Sequence, residues 1–202
     1  EDDGTYTPED SRSILIKNEN IWTLTTKDQY SYGFNENGWL VWMKDRNGNA
    51  LNITVDTAGK IQKIMDTVGR EYIITYNSSN LIEKITDPIN REVRYEYENS
   101  LLVRVTDPAG IVMRYGYDGY GMLNEIRDND NNITQSLIHN HSAGHSQNRV
   151  TQATDSMGDT SVYTYDENER KTTIKENNQR DWVYWFDEEY YPIKTQDSEG
   201  RF

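Results

Sequence analysis

Thr106-Asp107-Pro108-Ala109-Gly110-Ile111-Val112-Met113-Arg114-Tyr115-Gly116-Tyr117-Asp118-Gly119-Tyr120-Gly121-Met122-Leu123 is the stretch that decides the fold. It opens on Asp-Pro-Ala-Gly, the residue preferences of a type I turn: Asp accepts a local backbone hydrogen bond, Pro presets φ, and Gly relieves the exit. A short run follows in which Met113, Tyr115 and Tyr117 take every second place. Side chains alternate faces along a strand, so those three share one face. Asp118-Gly119-Tyr120-Gly121 then turns the chain again. Turn, strand, turn is one half of a hairpin repeat.

The same grammar extends in both directions. One series of turns is marked by Asp45 with Gly48, Asp66 with Gly69, Asp87 with Pro88, Asp107 with Pro108 and Gly110, Asp155 with Gly158, and Asp197 with Gly200. From Asp45 to Asp128 successive members lie 20 or 21 residues apart, and the register resumes at Asp155, passes Glu176 and reaches Asp197. A second series falls halfway, at Asp56, Asn77, Asp118 and Asp166. Turn signals every eight to twelve residues predict an all-β chain of tandem antiparallel hairpins. The predicted structural core is the column of alternating tyrosines: Tyr76, Tyr95, Tyr97, Tyr115, Tyr117, Tyr163, Tyr165 and Tyr184. Met43, Ile64, Ile85, Val105, Ile126 and Ile174 join them from the preceding strands. No stretch keeps apolar residues at helical spacing behind a cap, so no helix is expected.

Composition agrees. Fifteen Tyr stand beside three Phe and four Pro in 202 residues, which suits sheets with one dry and one wet face. The formal charge of −13 repels phosphate backbones and anionic headgroups, so nucleic acid is a poor partner and no membrane insertion is expected. With no cysteine, a disulfide framework, a thiolate metal site and a Cys nucleophile are all absent. No apolar run reaches membrane-span length. The chain starts at Glu1 and reads as a segment of a longer protein, with a lead-in over 1–20 and the repeat array over 21–202.

Thr-Asp-Pro-x-Gly followed by Tyr-x-Tyr-Asp-x-x-Gly-x-Leu resembles the YD-repeat, or RHS-repeat, family, and 106–123 is close to its ideal form. Trp22-Thr-Leu-Thr-Thr-Lys and Phe34-Asn-Glu-Asn-Gly38-Trp39-Leu40 look like the entry into such an array. The family includes bacterial polymorphic toxins, insecticidal toxin-complex subunits and animal teneurins. The resemblance implies a long antiparallel sheet wound into a spiral shell, which in relatives can enclose a toxic C-terminal domain. It also implies a secreted or cell-surface location, here bacterial. The partners implied are neighbouring repeats and an enclosed toxin domain. Two features depart from the family. The terminal repeat-core motif and a following cargo domain are not in this sequence, and about eight units are too few to close a shell. The expected object is a curved, open fragment of a shell.

Four features invite functional readings. The spacing between Asp128 and Asp155 is stretched by six residues, predicting an inserted loop over about 129–148 that holds His139, His141 and His145, every histidine of the chain. Imidazoles so close together suit zinc or a late transition metal, against a plainer reading as a polar excursion. Asp128, Asp130 and Asn132 have the spacing that opens a calcium loop, but the sixth-place Gly and twelfth-place Glu are missing, which favours an ordinary turn. Trp42, Trp185 and Tyr190 fall outside the tyrosine columns. Exposed aromatics of that kind could stack on sugar rings in a carbohydrate- or cell-surface-binding module, or pack against other segments. Carboxylates abound, but at turn positions that the backbone already explains, and only the inserted loop offers a general base. No Gly-rich phosphate loop precedes a helix. The sequence therefore predicts a scaffold with no cofactor and no catalytic centre.

Overall fold

The computed structural model describes residues 5–6, 13–141, 148–177, 181–197 and 199–201. All regular structure among them is β. The chain divides into two compact units, residues 1–95 and 96–202.

The first unit holds β1 (Thr5–Tyr6), β2 (Ile14–Asn18), β3 (Ile21–Thr25), β4 (Ser31–Phe34), β5 (Leu40–Lys44), β6 (Ala50–Val55), β7 (Ile61–Asp66), β8 (Glu71–Tyr76) and β9 (Ile82–Thr86). The next strand, β10 (Glu92–Glu98), runs through the division. The second unit continues with β11 (Leu101–Thr106), β12 (Val112–Tyr117), β13 (Leu123–Arg127), β14 (Ile133–Asn140) and β15 (Arg149–Asp155). It ends with β16 (Thr160–Asp166), β17 (Lys171–Glu176), β18 (Trp182–Phe186) and β19 (Pro192–Asp197).

Within each unit, successive strands pair antiparallel, as β6 with β7 and β7 with β8 in the first and β16 with β17 and β17 with β18 in the second. Among the described residues no strand touches a non-consecutive one. Each unit is thus a single-layer meander. Its side chains find apolar partners across the ladder rather than in a second layer. Ile53 opposes Ile64, which opposes Tyr72. One repeat later, Ile74 opposes Ile85, which opposes Val93. In the second unit the same places are filled by Tyr163, Ile174 and Trp182. Each such pair contributes roughly 0.2–1 kcal/mol relative to Ala–Ala. Burial is correspondingly shallow: among the described residues the buried apolar core is Ile74 (7% exposed) in the first unit and Val112 (5%) in the second, and neither is fully enclosed.

Two boundaries differ from the sequence reading. Strands β1 and β2 already pair within the 1–20 segment taken as a lead-in. Within the span read as an inserted loop, 129–148, residues 133–140 are strand. β14 runs on to Asn140, where His139 opposes Val150 and Asn140 opposes Arg149. The β14–β15 hairpin is therefore long, paired from Gln135 with Asp155 to Asn140 with Arg149.

Candidate functional site

The turns are the most regular feature of the molecule. At Asp45 the carbonyl accepts the Gly48 amide at 3.1 Å and the Asp45 amide donates to the Asn49 carbonyl at 2.9 Å. One carboxylate oxygen of Asp45 accepts the amides of Asn47 and Asn49, at 2.8 and 2.9 Å. The fourth residue adopts a left-handed conformation, as at Gly48 (φ 88°), giving a type I turn closed by a bulge. The same two side-chain bonds recur at Asp66, Asp87, Asp107, Asp155 and Asp197. The halfway turns repeat them at Asp56, Asn77, Asp118 and Asp187.

Gly69 and Pro88, two of the turn residues named from the sequence, serve their turns through the main chain alone. Gly69 is exposed and left-handed (φ 84°), and its amide donates to the Asp66 carbonyl at 3.0 Å. A β-carbon at Gly69 would meet nothing within 4 Å, so backbone conformation and not space selects glycine there. Pro88 takes the second place of its turn, where no amide is needed. The bonds of that turn run from the amides of Ile89, Asn90 and Arg91 to Asp87, leaving Pro88 to restrict φ. This turn also departs from the glycine-closed pattern, because Asn90 (φ 63°) holds the left-handed place.

These bonds tune the acids. The Arg70 amide leads the contacts that hold Asp66 below the ordinary carboxylate range, against the opposing effect of burial, with the Arg70 guanidinium and the Val68 amide adding to it. The Arg201 amide acts likewise on Asp197. Arg70, Arg91 and Arg201 each reach back from the residue after the turn to its Asp, at 2.6, 2.7 and 2.9 Å. Asp128 fits the same frame. Its two carboxylate oxygens accept the Asn132 amide and side-chain amide at 2.8 and 3.0 Å. Among the described residues no three His, Asp or Glu converge on a point that could hold a metal.

The tyrosines add a bond that sequence reading did not foresee. Tyr76 donates its hydroxyl to the Ile61 carbonyl at 2.9 Å, Tyr117 to Leu102 at 2.8 Å, and Tyr165 to Val150 at 2.7 Å. Each spans fifteen residues, so the last Tyr of the strand, the second of a Tyr-x-Tyr pair at Tyr117 and Tyr165, is a latch to the strand before it. Burial raises the Tyr117 and Tyr165 hydroxyls above the ordinary phenol range. Tyr95, Tyr97, Tyr115, Tyr163 and Tyr184 are half-buried along their strands. The sequence carried no signal for the latch, since the accepting carbonyl leaves no trace in the side-chain pattern.

The histidines meet a turn rather than one another. His141 Nε2 lies 3.0 Å from Asp118 Oδ2, and its ring stacks on Tyr120 at 4.2 Å between centroids. The His139 ring is 6.2 Å from that of His141. Burial pushes Asp118 up, but the amides of Met122 and Tyr120 and the imidazoles of His141 and His139 outweigh it and hold the acid low. His145 lies outside the described residues. The pair thus ties the end of β14 to the β12–β13 turn.

The three aromatics outside the columns have separate fates. The Trp42 indole lies against Gly33, so close that a β-carbon there would sit 2.0 Å from its Nε1. Trp42 is therefore packed within its own hairpin. Trp185 is capped by Lys194, with Nζ 4.2 Å from the ring centroid. Tyr190 is the exception: it is 72% exposed, in a left-handed backbone conformation (φ 64°).

With this geometry in view, the comparisons with known proteins are specific. A model of the teneurin YD-shell family matches residues 16–201. The chain belongs to the teneurin YD-shell family. It is 36% identical over 201 residues to the tRNA(Glu)-specific nuclease WapA of Bacillus subtilis subsp. natto, and 35% identical to the tRNA nuclease WapA of Bacillus subtilis strain 168. Each match covers 98% of this chain but only 8% of the relative. Among solved structures, TcdB2-TccC3 without its hypervariable C-terminal region aligns with a TM-score of 0.52 at 16% identity, over 86% of this chain and 10% of that one. The Photorhabdus luminescens Tc holotoxin pore aligns with a TM-score of 0.53 at 12% identity, over 93% of this chain and 11% of its own. These likenesses show the fold.

Proposed function

We propose that this chain is a non-catalytic wall segment of a large exported bacterial YD-repeat protein, its partners being further repeats and an enclosed toxin domain. The observation that carries this reading is how the recurring positions of the repeat are used. The turn acids are occupied by turn amides, the second tyrosines by strand carbonyls, and the apolar columns by their cross-strand neighbours. The chemistry-bearing residues of the repeat therefore build the sheet. The tRNA nuclease activity in the relatives' names belongs to proteins of which this chain matches 8%, and a charge of −13 opposes binding of a polyanion. Incubating the purified chain with tRNA tests the non-catalytic part: the tRNA stays intact, and cleavage overturns it. The wall role is tested by exchanging this chain for the matching stretch of Bacillus subtilis WapA. The chimera is exported and resists limited proteolysis; a chimera that unfolds or is degraded overturns it.

Glycan binding is a second reading, favoured by the exposed, left-handed Tyr190.

A further inference from the structure

His139-Asn140-His141 runs off the end of β14 in the second unit. Alternate places along a strand share a face, so the two imidazoles stand on one side while the intervening Asn140 pairs with Arg149. Their ring centroids lie 6.2 Å apart, with 33° between the planes. Two imidazoles that share one ion, each nitrogen about 2.0–2.1 Å from it, have ring centres about 5–6.5 Å apart. The spacing set by the strand falls inside that window without any change of backbone.

The ring nitrogens are unequally engaged. His141 Nε2 donates to Asp118 Oδ2 at 3.0 Å, which fixes the ring proton on Nε2 and leaves the lone pair on Nδ1. The Nδ1 atoms of His141 and of His139 are both buried without a hydrogen-bond partner. A buried polar atom left unsatisfied costs about 1–3 kcal/mol. The tie to Asp118 uses neither of these two nitrogens, so it does not account for them. A carboxylate that takes one ring N–H while the other nitrogen stays open is the arrangement that orients a metal-binding histidine. Asp118 provides it without leaving its turn: Oδ1 accepts the Tyr120 and Met122 amides at 2.9 and 3.0 Å, and Oδ2 is left for the imidazole. The Tyr120 ring lies on His141 at 4.2 Å and 22°, which fixes the plane of the imidazole. At the halfway turn of Asp56 the same carboxylate oxygen takes the Gln62 side-chain amide instead, at 3.1 Å. The histidine partner is thus particular to this turn.

We propose that His139 and His141 bind one late first-row divalent metal ion through their Nδ1 atoms, with Asp118 as the positioning residue and water filling the remaining places. Imidazole nitrogen suits copper, nickel and zinc. The wall role does not depend on this site. Calorimetric titration of the whole chain with Cu²⁺, and separately with Zn²⁺, tests it, together with nitrogen NMR of the imidazoles. The expected result is one ion per chain, Cu²⁺ held more tightly than Zn²⁺, and Nδ1 resonances of both histidines shifted in the zinc form. His139→Gln and His141→Gln each weaken binding by roughly tenfold or more, while His145→Gln leaves it unchanged. Asp118→Asn keeps the two turn bonds, as Asn77 does, but turns an N–H donor toward Nε2. The His141 ring proton then moves to Nδ1, a tautomer change visible in the metal-free chain, and binding weakens about 10–100-fold. Absence of one-to-one binding overturns the proposal, as does binding indifferent to His141→Gln or seen at Nε2. Binding lost with His145→Gln but kept with His141→Gln places the ion elsewhere and overturns the pair.

Discussion

At the scale of single residues, the latch and the turn acid make separate predictions. Tyr117→Phe keeps the ring in its column and removes only the hydroxyl that serves the Leu102 carbonyl. The loss expected is about 1 kcal/mol, near the net value of one hydrogen bond, read from urea denaturation. A cost several times larger would mean that the ring itself had moved. The turn acid predicts a pH dependence. Asp66 is depressed in the folded chain by the Arg70 amide, the Arg70 side chain and the Val68 amide. Its stabilising effect is therefore complete above the unfolded value of about 3.9, and is lost as pH falls below that toward the folded value. Asn77 makes the same two turn bonds, to Ser79 and Leu81 at 2.9 and 3.0 Å, without a titrating group. Asp66→Asn should therefore retain the turn, lose the 2.6 Å pairing with Arg70, and flatten the decline of melting temperature below about pH 4. An unchanged acid decline would show that this aspartate does not contribute to it.

At the scale of the hairpin, what was legible in the sequence was what depends on local chemistry. Asp-Pro-Ala-Gly at 107–110 states its own turn, and the every-second-place rule states which residues share a face, so the pairing of Ile53 with Ile64 and of Tyr163 with Ile174 follows from register alone. The latch was not legible because its acceptor is a main-chain carbonyl on the preceding strand. The stretched unit was misread as loop because polar residues at 133–140 hide a strand whose pairing continues on both sides. Tyr190 stood out as an aromatic outside the tyrosine columns, and it is 72% exposed. Trp42 stood out for the same reason, and its indole lies against Gly33. Another indole sets a test at this scale. Gly48 and Gly59 have nearly the same left-handed φ, 88° and 83°, but a β-carbon at Gly48 meets nothing within 4 Å, whereas at Gly59 it would lie 2.6 Å from the Trp39 ring. Gly48→Ala should cost about 1–2 kcal/mol from backbone conformation alone. Gly59→Ala should cost clearly more, because the indole must also leave its place. Equal losses in thermal or urea unfolding would remove Trp39 from the account of that turn.

At the scale of the whole molecule, the decisive fact is that, among the described residues, strand contacts within each unit join only consecutive strands. A chain of that kind has no central core whose loss unfolds everything. Its stability approximates a sum over repeats and the interfaces between neighbours. The second unit offers a direct trial, because β18 and β19 are its last strands and β18 rests on β17 through pairs such as Trp182 with Ile174. Ending the chain after Glu176 removes that hairpin and one strand–strand interface, and leaves every other described pairing of the unit in place. The truncated chain should remain folded, keep the β signature of its circular dichroism, and unfold in urea with a smaller slope, because less surface is exposed when it does so. The new terminal strand, β17, should then exchange its amide protons faster than β12 and β13, which keep both neighbours. A globular domain shortened within its core would lose its fold outright. Complete loss of structure on this truncation would therefore show that the unit is held by something other than its neighbour-to-neighbour ladder, and the wall reading would lose its physical basis.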